Sequence, residues 1–505
     1  MIKLRGFHLG VNRGSVVQRT ASSDRKATYI EFLNSSVLAG LVGIVRIGLY
    51  SIVLVAVLTK TLGAEQYGLW VQALALVALM LPLLDLGLIY SMTRFVAGHK
   101  EPTRKSEEFY SVAWYVLVVG IGAGLALPLI AHWFLPGASD SRFLGITGLL
   151  LTTTVWQTLY IGFLRANLSI RVYVTDMLIY MFCEVLAVSL LAIYNHTIYD
   201  ILAAATIIRG INGLLLAIYV TRSIPFVWPN VSLFVDRIKF SVPLALSELF
   251  NVITIYADRF VLTYFMNSWW VGAYSAAYTL GNLPTVFIGL FGLTWPAFMS
   301  KQYDSERREV VLELTRRLLK YFRLVAVPSI FLLLALGKIA LEWIATSSIA
   351  SAGYHITPLI AVSGLFLGEY SIVSHIIFLG KRTSWLSFVW FVVAILNLSL
   401  NLVLVPLWGL YGAAVSTVAA YLFLDFATAY LARRILDFSY DWHGLLKICG
   451  ASVLLYSGVR GAFEVFQYPL GSLLGAIVAG CLGAALYMLA IWGLGLIRGE
   501  EIGVV

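Results

Sequence analysis
Apolar segments of about twenty residues or more recur along the chain, near 34 to 59, 67 to 93, 110 to 135, 143 to 164, 173 to 194, 201 to 221, 240 to 265, 272 to 299, 321 to 343, 356 to 379, 384 to 405, 409 to 432, 445 to 466 and 470 to 497. At about 1.5 Å per helical residue, each is long enough to cross a hydrocarbon core of roughly 30 Å. The pattern predicts an all-α polytopic membrane protein of fourteen helices. Two pairs are divided, around Pro406 and Pro469, because each combined run is too long for one crossing.

Composition excludes a soluble globular domain: 60% of the 505 residues are apolar, 12% are charged and the mean hydropathy is +0.88, whereas soluble domains carry about twice that charged fraction. The net charge of +9 has a topological explanation. With a cytosolic N-terminus, most of the 35 Lys and Arg lie in the first 33 residues or in cytosolic links. The exceptions are Lys60, Arg142 and Lys338 near outer ends, and Arg46, Arg209, Arg259 and Arg460 inside helices. A missed or invented helix would invert this positive-inside alternation, so it supports fourteen crossings with both termini cytosolic. No nucleic acid is expected as a partner. Cys183, Cys449 and Cys481 sit in apolar runs without CxxC spacing; they read as small core residues, and no metal or cofactor is expected.

The seventh helix departs from this pattern. Between Ile238 and Met266 it carries Glu248, Asn251, Asp258 and Arg259. At roughly 100° per residue, Ser241, Glu248 and Arg259 share a face, with Asn251 to one side. A charge at bilayer depth costs a few kcal/mol or more, so the stripe is expected to face a water-filled cavity, an internal ion pair being the alternative.

The link from Lys301 to Arg323 places Val310, Val311, Leu314 and Leu318 at helical spacing under a basic face, the pattern of an amphipathic helix lying on the inner leaflet. It also divides the chain. LTKTLGAEQYGLW from Leu58 and LTYFMNSWWVGAY from Leu262 share Leu, Thr and Gly at matching places, an internal echo that makes six helices the repeating unit. The expected organisation is a basic tail (1–33), a first lobe (34–222), a second lobe (238–432) and two appended helices (445–497).

TKTLGAEQYGLW, LLDLGL at Leu83–Leu88 and VPLWGLYGAAVSTVAAY at Val405–Tyr421 resemble the signatures of the polysaccharide-biosynthesis flippases of the multidrug/oligosaccharidyl-lipid/polysaccharide (MOP) exporter superfamily. The resemblance spans nearly the whole chain. It implies two six-helix lobes around a central cavity in the cytoplasmic membrane, and movement of undecaprenyl-diphosphate-linked oligosaccharide between leaflets, with polymerase or export proteins of the same pathway and membrane lipids as partners.

Such a substrate needs guanidinium groups for phosphate and amide, hydroxyl or aromatic groups for sugar. Arg46, Arg209 and Arg259 are the candidates for the diphosphate, Arg46 alternatively pairing with Asp85. Tyr274, Tyr278 and Asn282, on one face of helix eight with Thr285, and Asn251 are the candidates for the sugar, the tyrosines alternatively being packing core. Glu248, Asp258 and the Glu369–His375 pair are candidates for ion coupling. Pro243, Pro284 and Pro296 offer bending points. A lipid-linked peptidoglycan precursor flippase and a multidrug antiporter remain as alternatives, although the three arginines should repel cationic drugs. No enzymatic activity is expected, because the outer links are too short for a catalytic loop.

Overall fold
A computed structural model describes residues 42–43, 45–99, 101–130, 140–167, 169–194, 196–287, 299–300, 302–303 and 308–496. The 1–33 tail and Pro296 lie outside the described residues. Among the described residues the secondary structure is helical throughout.

The first apolar run, Val45–Asp85, is broken at Gly63 (φ 81°, ψ 176°), a backbone conformation that glycine adopts without steric cost. It yields α1 (residues 45–62) and α2 (residues 64–85). Left-handed Leu86 and Gly87 end α2, and the chain resumes as α3 (Leu88–Gly98). The remaining elements are α4 (Pro102–Ile130), α5 (Ser141–Ala166), α6 (Ile170–Ile193), α7 (Ile198–Ser223), α8 (Val231–Phe265), α9 (Ser268–Gly281), α10 (Arg308–Ile344), the short α11 (Ser347–Gly353), α12 (Thr357–Leu379), α13 (Thr383–Trp408), α14 (Leu410–Arg433), α15 (Trp442–Pro469) and α16 (Gly471–Gly493). The basic links between α3 and α4, α5 and α6, α7 and α8, α12 and α13, and α14 and α15 share one end of the bundle, here termed the basic face.

The structure refines several expectations. The breaks assigned to Pro406 and Pro469 fall at Gly409 and Gly471 instead, because a reversal needs positive φ whereas proline's fixed φ is compatible with a helical turn. Helix eight does not continue as one rod: α9 ends at Gly281 and a 3-10 turn, Leu283–Thr285, follows at Pro284. Asn282 and Thr285 therefore leave the face shared by Tyr274 and Tyr278. The segment expected to lie on the leaflet is the start of α10, a continuous 37-residue helix. Its Val311 and Leu318 are buried against α12 and α15 in a protein core, so its apolar face is already occupied. Cys183 and Cys481 are exposed on the bundle's outer surface, not in its core.

Two lobes meet along α2, α8 and α9. Gly68 and Gly272 occupy equivalent places in the internal echo, and they face each other across the seam. A Cβ on Gly68 would stand 1.8 Å from the Ser268 carbonyl oxygen, and one on Gly272 would stand 2.0 Å from that of Ala64. The echo thus marks the point, near the end opposite the basic face, where the two lobes touch backbone to backbone. Gln72 Nε2 donates to Ser268 Oγ at 3.1 Å and Thr59 Oγ1 to the Ile344 carbonyl at 3.1 Å beside it.

Gly272→Ala is expected to cost about 1–3 kcal/mol through overpacking, whereas Gly145→Ala, with nothing within 4 Å of the added Cβ, should be neutral or stabilising by up to about 1 kcal/mol. Thermal unfolding midpoints of the two detergent-solubilised variants check this; equal midpoints would remove the seam from the stability argument.

Candidate functional site
The polar stripe of α8 divides in two. In the middle of the helix, Glu248 and Asn251 line a cavity of about 500 Å³ closed by Tyr90 of α3, Tyr370 and Ser371 of α12, and Ser387 and Trp390 of α13. Asn251 stands beside Glu248 on the same face. Ser247 Oγ donates to Ser387 Oγ at 2.6 Å and Trp390 Nε1 to the Tyr370 hydroxyl at 2.8 Å, which fixes both rings. Among the described residues no cation stands within ion-pair distance of Glu248, and its side chain is half-buried.

Farther along α8, Asp258 and Arg259 face α9. Arg259 Nη1 donates to Asp258 Oδ1 and to the Ile255 carbonyl, both at 2.6 Å. Its guanidinium lies 4.3 Å from the Tyr278 ring centroid and 5.3 Å from that of Tyr274, cation–π geometry for a desolvated arginine. The Tyr274 hydroxyl donates to Asp258 Oδ2 at 2.7 Å, and Tyr274 is fully buried. The structure therefore places Arg259, Asp258 and Tyr274 together in the packed seam. Tyr278 is half-buried above them, and Asn282 faces Gly364 of α12.

A second ionic centre lies inside the first lobe. Arg209 of α7 donates through Nε to Glu184 of α6 at 2.8 Å and through Nη1 to Thr154 of α5 at 3.0 Å. Tyr180 donates to the same carboxylate at 2.7 Å, and Tyr50 of α1 completes the cluster. One turn on from Arg209, Asn212 accepts from Gln157 Nε2 at 2.7 Å and donates to Asp176 Oδ1 at 2.8 Å. Arg46, by contrast, is exposed on α1 and has no partner among the described residues, Asp85 included; Asp85 Oδ1 instead accepts from the Gly87 N–H at 2.9 Å.

Glu369 and His375 are not brought together. Six residues apart on α12, they point to different sides. Glu369 receives both Arg323 Nε and Nη2, at 2.6 and 2.7 Å, while His375 Nδ1 meets the Ser371 carbonyl. Asp425 of α14 joins the Arg323 cluster through the Tyr440 hydroxyl at 2.6 Å. Arg323 read from sequence as a link charge, yet it is 3% exposed. Glu108 of α4, 2% exposed, carried no sequence signal because its partner is far away in the chain: Arg237 of α8, whose Nε donates to it at 2.8 Å. That pair bridges the lobes toward the basic face, where Asn230 also holds Glu107 at 2.8 Å and Gly87 abuts the Ser241 carbonyl. Between the two seam contacts lies an apolar cavity of about 700 Å³, walled by Leu76, Met80, Leu127, Ala257 and Phe260 among others.

This architecture, two helical lobes clamped at both ends around internal cavities, is the fold of the MOP-superfamily transporters. Solved structures with it include the lipid II flippase MurJ in an inward closed conformation (TM-score 0.71, 16% identity, covering 93% of this chain and 100% of that one). They also include an inward-facing multidrug resistance transporter of the MATE family (TM-score 0.62, 13% identity, 78% and 98%) and a MOP-superfamily transporter from Pyrococcus furiosus (TM-score 0.58, 13% identity, 79% and 96%). The chain belongs to the polysaccharide biosynthesis protein family, whose model matches residues 33–302. A curated relative is the succinoglycan biosynthesis transport protein ExoT of Rhizobium meliloti (strain 1021), 26% identical over 298 residues. That match spans 57% of this chain and 58% of the relative's length.

Two predictions follow from the ionic centres. Arg209→Ala leaves Glu184 buried and uncompensated and is expected to cost about 3–5 kcal/mol, whereas replacing both partners together (Arg209→Met with Glu184→Leu) should cost far less; thermal midpoints of the wild type and the two variants check this. Glu108→Gln weakens the only side-chain ion pair that bridges the lobes among the described residues. Maleimide labelling of Ser247→Cys in the mid-membrane cavity should accelerate in that background, and an unchanged labelling rate would show that the pair does not hold the basic-face end shut.

Proposed function
We propose that the chain carries an oligosaccharide linked through a diphosphate to undecaprenol across the cytoplasmic membrane, by alternating access, with its basic face and both termini on the cytosolic side. The observation that carries this reading is the lining of the mid-membrane cavity. A sugar presents hydroxyls around its edge and a C–H face on each ring. Asn251, Ser371, Ser387 and the carboxylate of Glu248 offer edge partners, and Trp390 and Tyr370, locked by their mutual hydrogen bond, offer flat faces.

Family membership and the succinoglycan transport relative support a saccharide cargo, and the fold shared with the lipid II flippase covers 93% of this chain. A peptidoglycan precursor presents the same diphosphate and sugar chemistry and stays the nearest alternative cargo. For the diphosphate, Arg46 is the arginine whose charge is not already met by a carboxylate. Arg209 and Arg259 would have to exchange Glu184 and Asp258 for phosphate oxygens, so we assign them to holding their lobes in shape and, on lobe movement, to a transient phosphate contact. Glu248, a carboxylate with cavity access and no cation, is the proposed ion-coupling group.

The test is translocation of a fluorescent undecaprenyl-diphosphate oligosaccharide in proteoliposomes at matched protein incorporation. Asn251→Ala with Trp390→Ala should slow transport roughly ten-fold, the worth of a hydrogen bond and an aromatic face, and Arg46→Ala should weaken it comparably. Glu248→Gln should abolish acceleration by an imposed proton gradient. Wild-type rates in all of these variants would return the residues to structural roles.

A further inference from the structure
A cavity of about 510 Å³ opens on the basic face between the start of α10 and the start of α15, away from the cleft. Its polar rim holds Arg316, Arg317, Lys320, His443 and Lys447, while Leu319, Leu445, Ile448 and Leu496 form its apolar wall. The acidic groups there are already engaged. Glu313 accepts from Arg317 at 2.5 Å, and Asp441 caps α15 by accepting from the Gly444 N–H at 2.8 Å. Arg316 makes only long contacts, 3.5 Å to the Asp437 carbonyl and 3.5 Å to Ser439 Oγ. Lys447 has no hydrogen bond or ion pair among the described residues. The rim is thus net electropositive, with guanidinium and ammonium groups around one opening.

We propose that this cavity is a site for the phosphate headgroup of an anionic phospholipid drawn from the leaflet on the basic side. An anion is required by the charge, and the surroundings select a lipid over a soluble one. The apolar wall continues outward onto the exposed Leu446, Trp442, Trp492 and Leu494, aromatic and aliphatic groups at the level where a bilayer's interface meets its acyl region. A phosphate seated between Arg316 and Lys447 leaves its chains lying along α15 and α16. Basic pockets between membrane helices take anionic headgroups by this logic. Because α10 also carries Arg323, whose Nη1 donates to the Asp441 carbonyl at 3.2 Å, an occupant would brace the appended helices against the second lobe.

The full-length protein in detergent is titrated with short-chain phosphatidylglycerol, with phosphatidylcholine of the same chain length and with sodium phosphate at matched ionic strength, read by native mass spectrometry and by thermal midpoint. Phosphatidylglycerol alone is expected to bind and to raise the midpoint. Arg316→Ala with Lys447→Ala should weaken it about thirty-fold, at roughly five-fold per basic contact. Arg316→Lys with Lys447→Arg should retain binding, and Arg222→Ala, an exposed charge on the same face outside the cavity, should leave it unchanged. If the double variant does not fold, Lys447→Gln alone should show the five-fold loss. Equal stabilisation by sodium phosphate would overturn the lipid assignment in favour of a soluble anion, and wild-type phosphatidylglycerol affinity in the charge-removed variants would place the lipid elsewhere.

Discussion

The cost of a charge without water governs this molecule. Arg209, Arg259 and Arg323 are buried and Arg237 is partly buried, and each is held by a carboxylate, Glu184, Asp258, Glu369 and Glu108, since a lone guanidinium in hydrocarbon would cost several kcal/mol or more. The pairs also decide what can move. Arg209–Glu184 and Arg323–Glu369 tie helices of the same lobe together, with tyrosines and a threonine recruited to fill the remaining valences. They make each lobe one body. Arg237–Glu108 is different, because it joins α8 to α4 across the seam.

The seam itself is asymmetric. At the end opposite the basic face, α2 and α9 meet through glycines with their backbones in contact, a junction held by close packing and a few neutral hydrogen bonds. Toward the basic face, the junction is ionic and lies beside polar links; the Arg237 side chain keeps 18% of its exposure. Separating that pair as the helices part admits water to Arg237 and then to Glu108, 2% exposed in this structure, which offsets part of the cost. Separating the glycine junction uncovers apolar surface and backbone with no such compensation. The apolar cavity between the two junctions gives α2 and α8 room to shift, since a close-packed interface would otherwise resist small displacements. Opening at the basic face is therefore the less costly of the two motions from this state.

The fold was legible because it follows from one-dimensional quantities: run lengths, glycine and proline positions and the side on which Lys and Arg fall. An all-α membrane frame of about fourteen helices, twelve of them long and apolar enough to span a membrane among the described residues, needed no knowledge of contacts. The internal echo pointed to Gly68 and Gly272 without saying that they touch. The site was legible only in part. The seventh-helix stripe was visible as a polar face, yet periodicity cannot tell a face that meets a cavity from one that meets another helix, and α8 does both, Glu248 toward space and Arg259 toward Tyr274 and Tyr278. Ion pairs such as Arg237–Glu108 and Arg323–Glu369 join residues far apart in the chain, so no local pattern announces them. Arg323 was hidden for a further reason: it follows a basic stretch, and only the unbroken course of α10 carries it into the protein.

What separates a structural charge from a working one here is its solvation. A carboxylate already bound by a guanidinium and a tyrosine, as Asp258 is, has its position set by the fold, and changing it means unpacking α8 from α9. Glu248 stands on the same helix, nearly three turns before Asp258, with Asn251 beside it and a cavity in front of it. Among the described residues no guanidinium or tyrosine hydroxyl saturates it, so the contacts that fix Asp258 have no counterpart at Glu248. The polar stripe of one helix thus divides along its length: the half that faces α9 is saturated by its neighbours, and the half that faces the cavity is not.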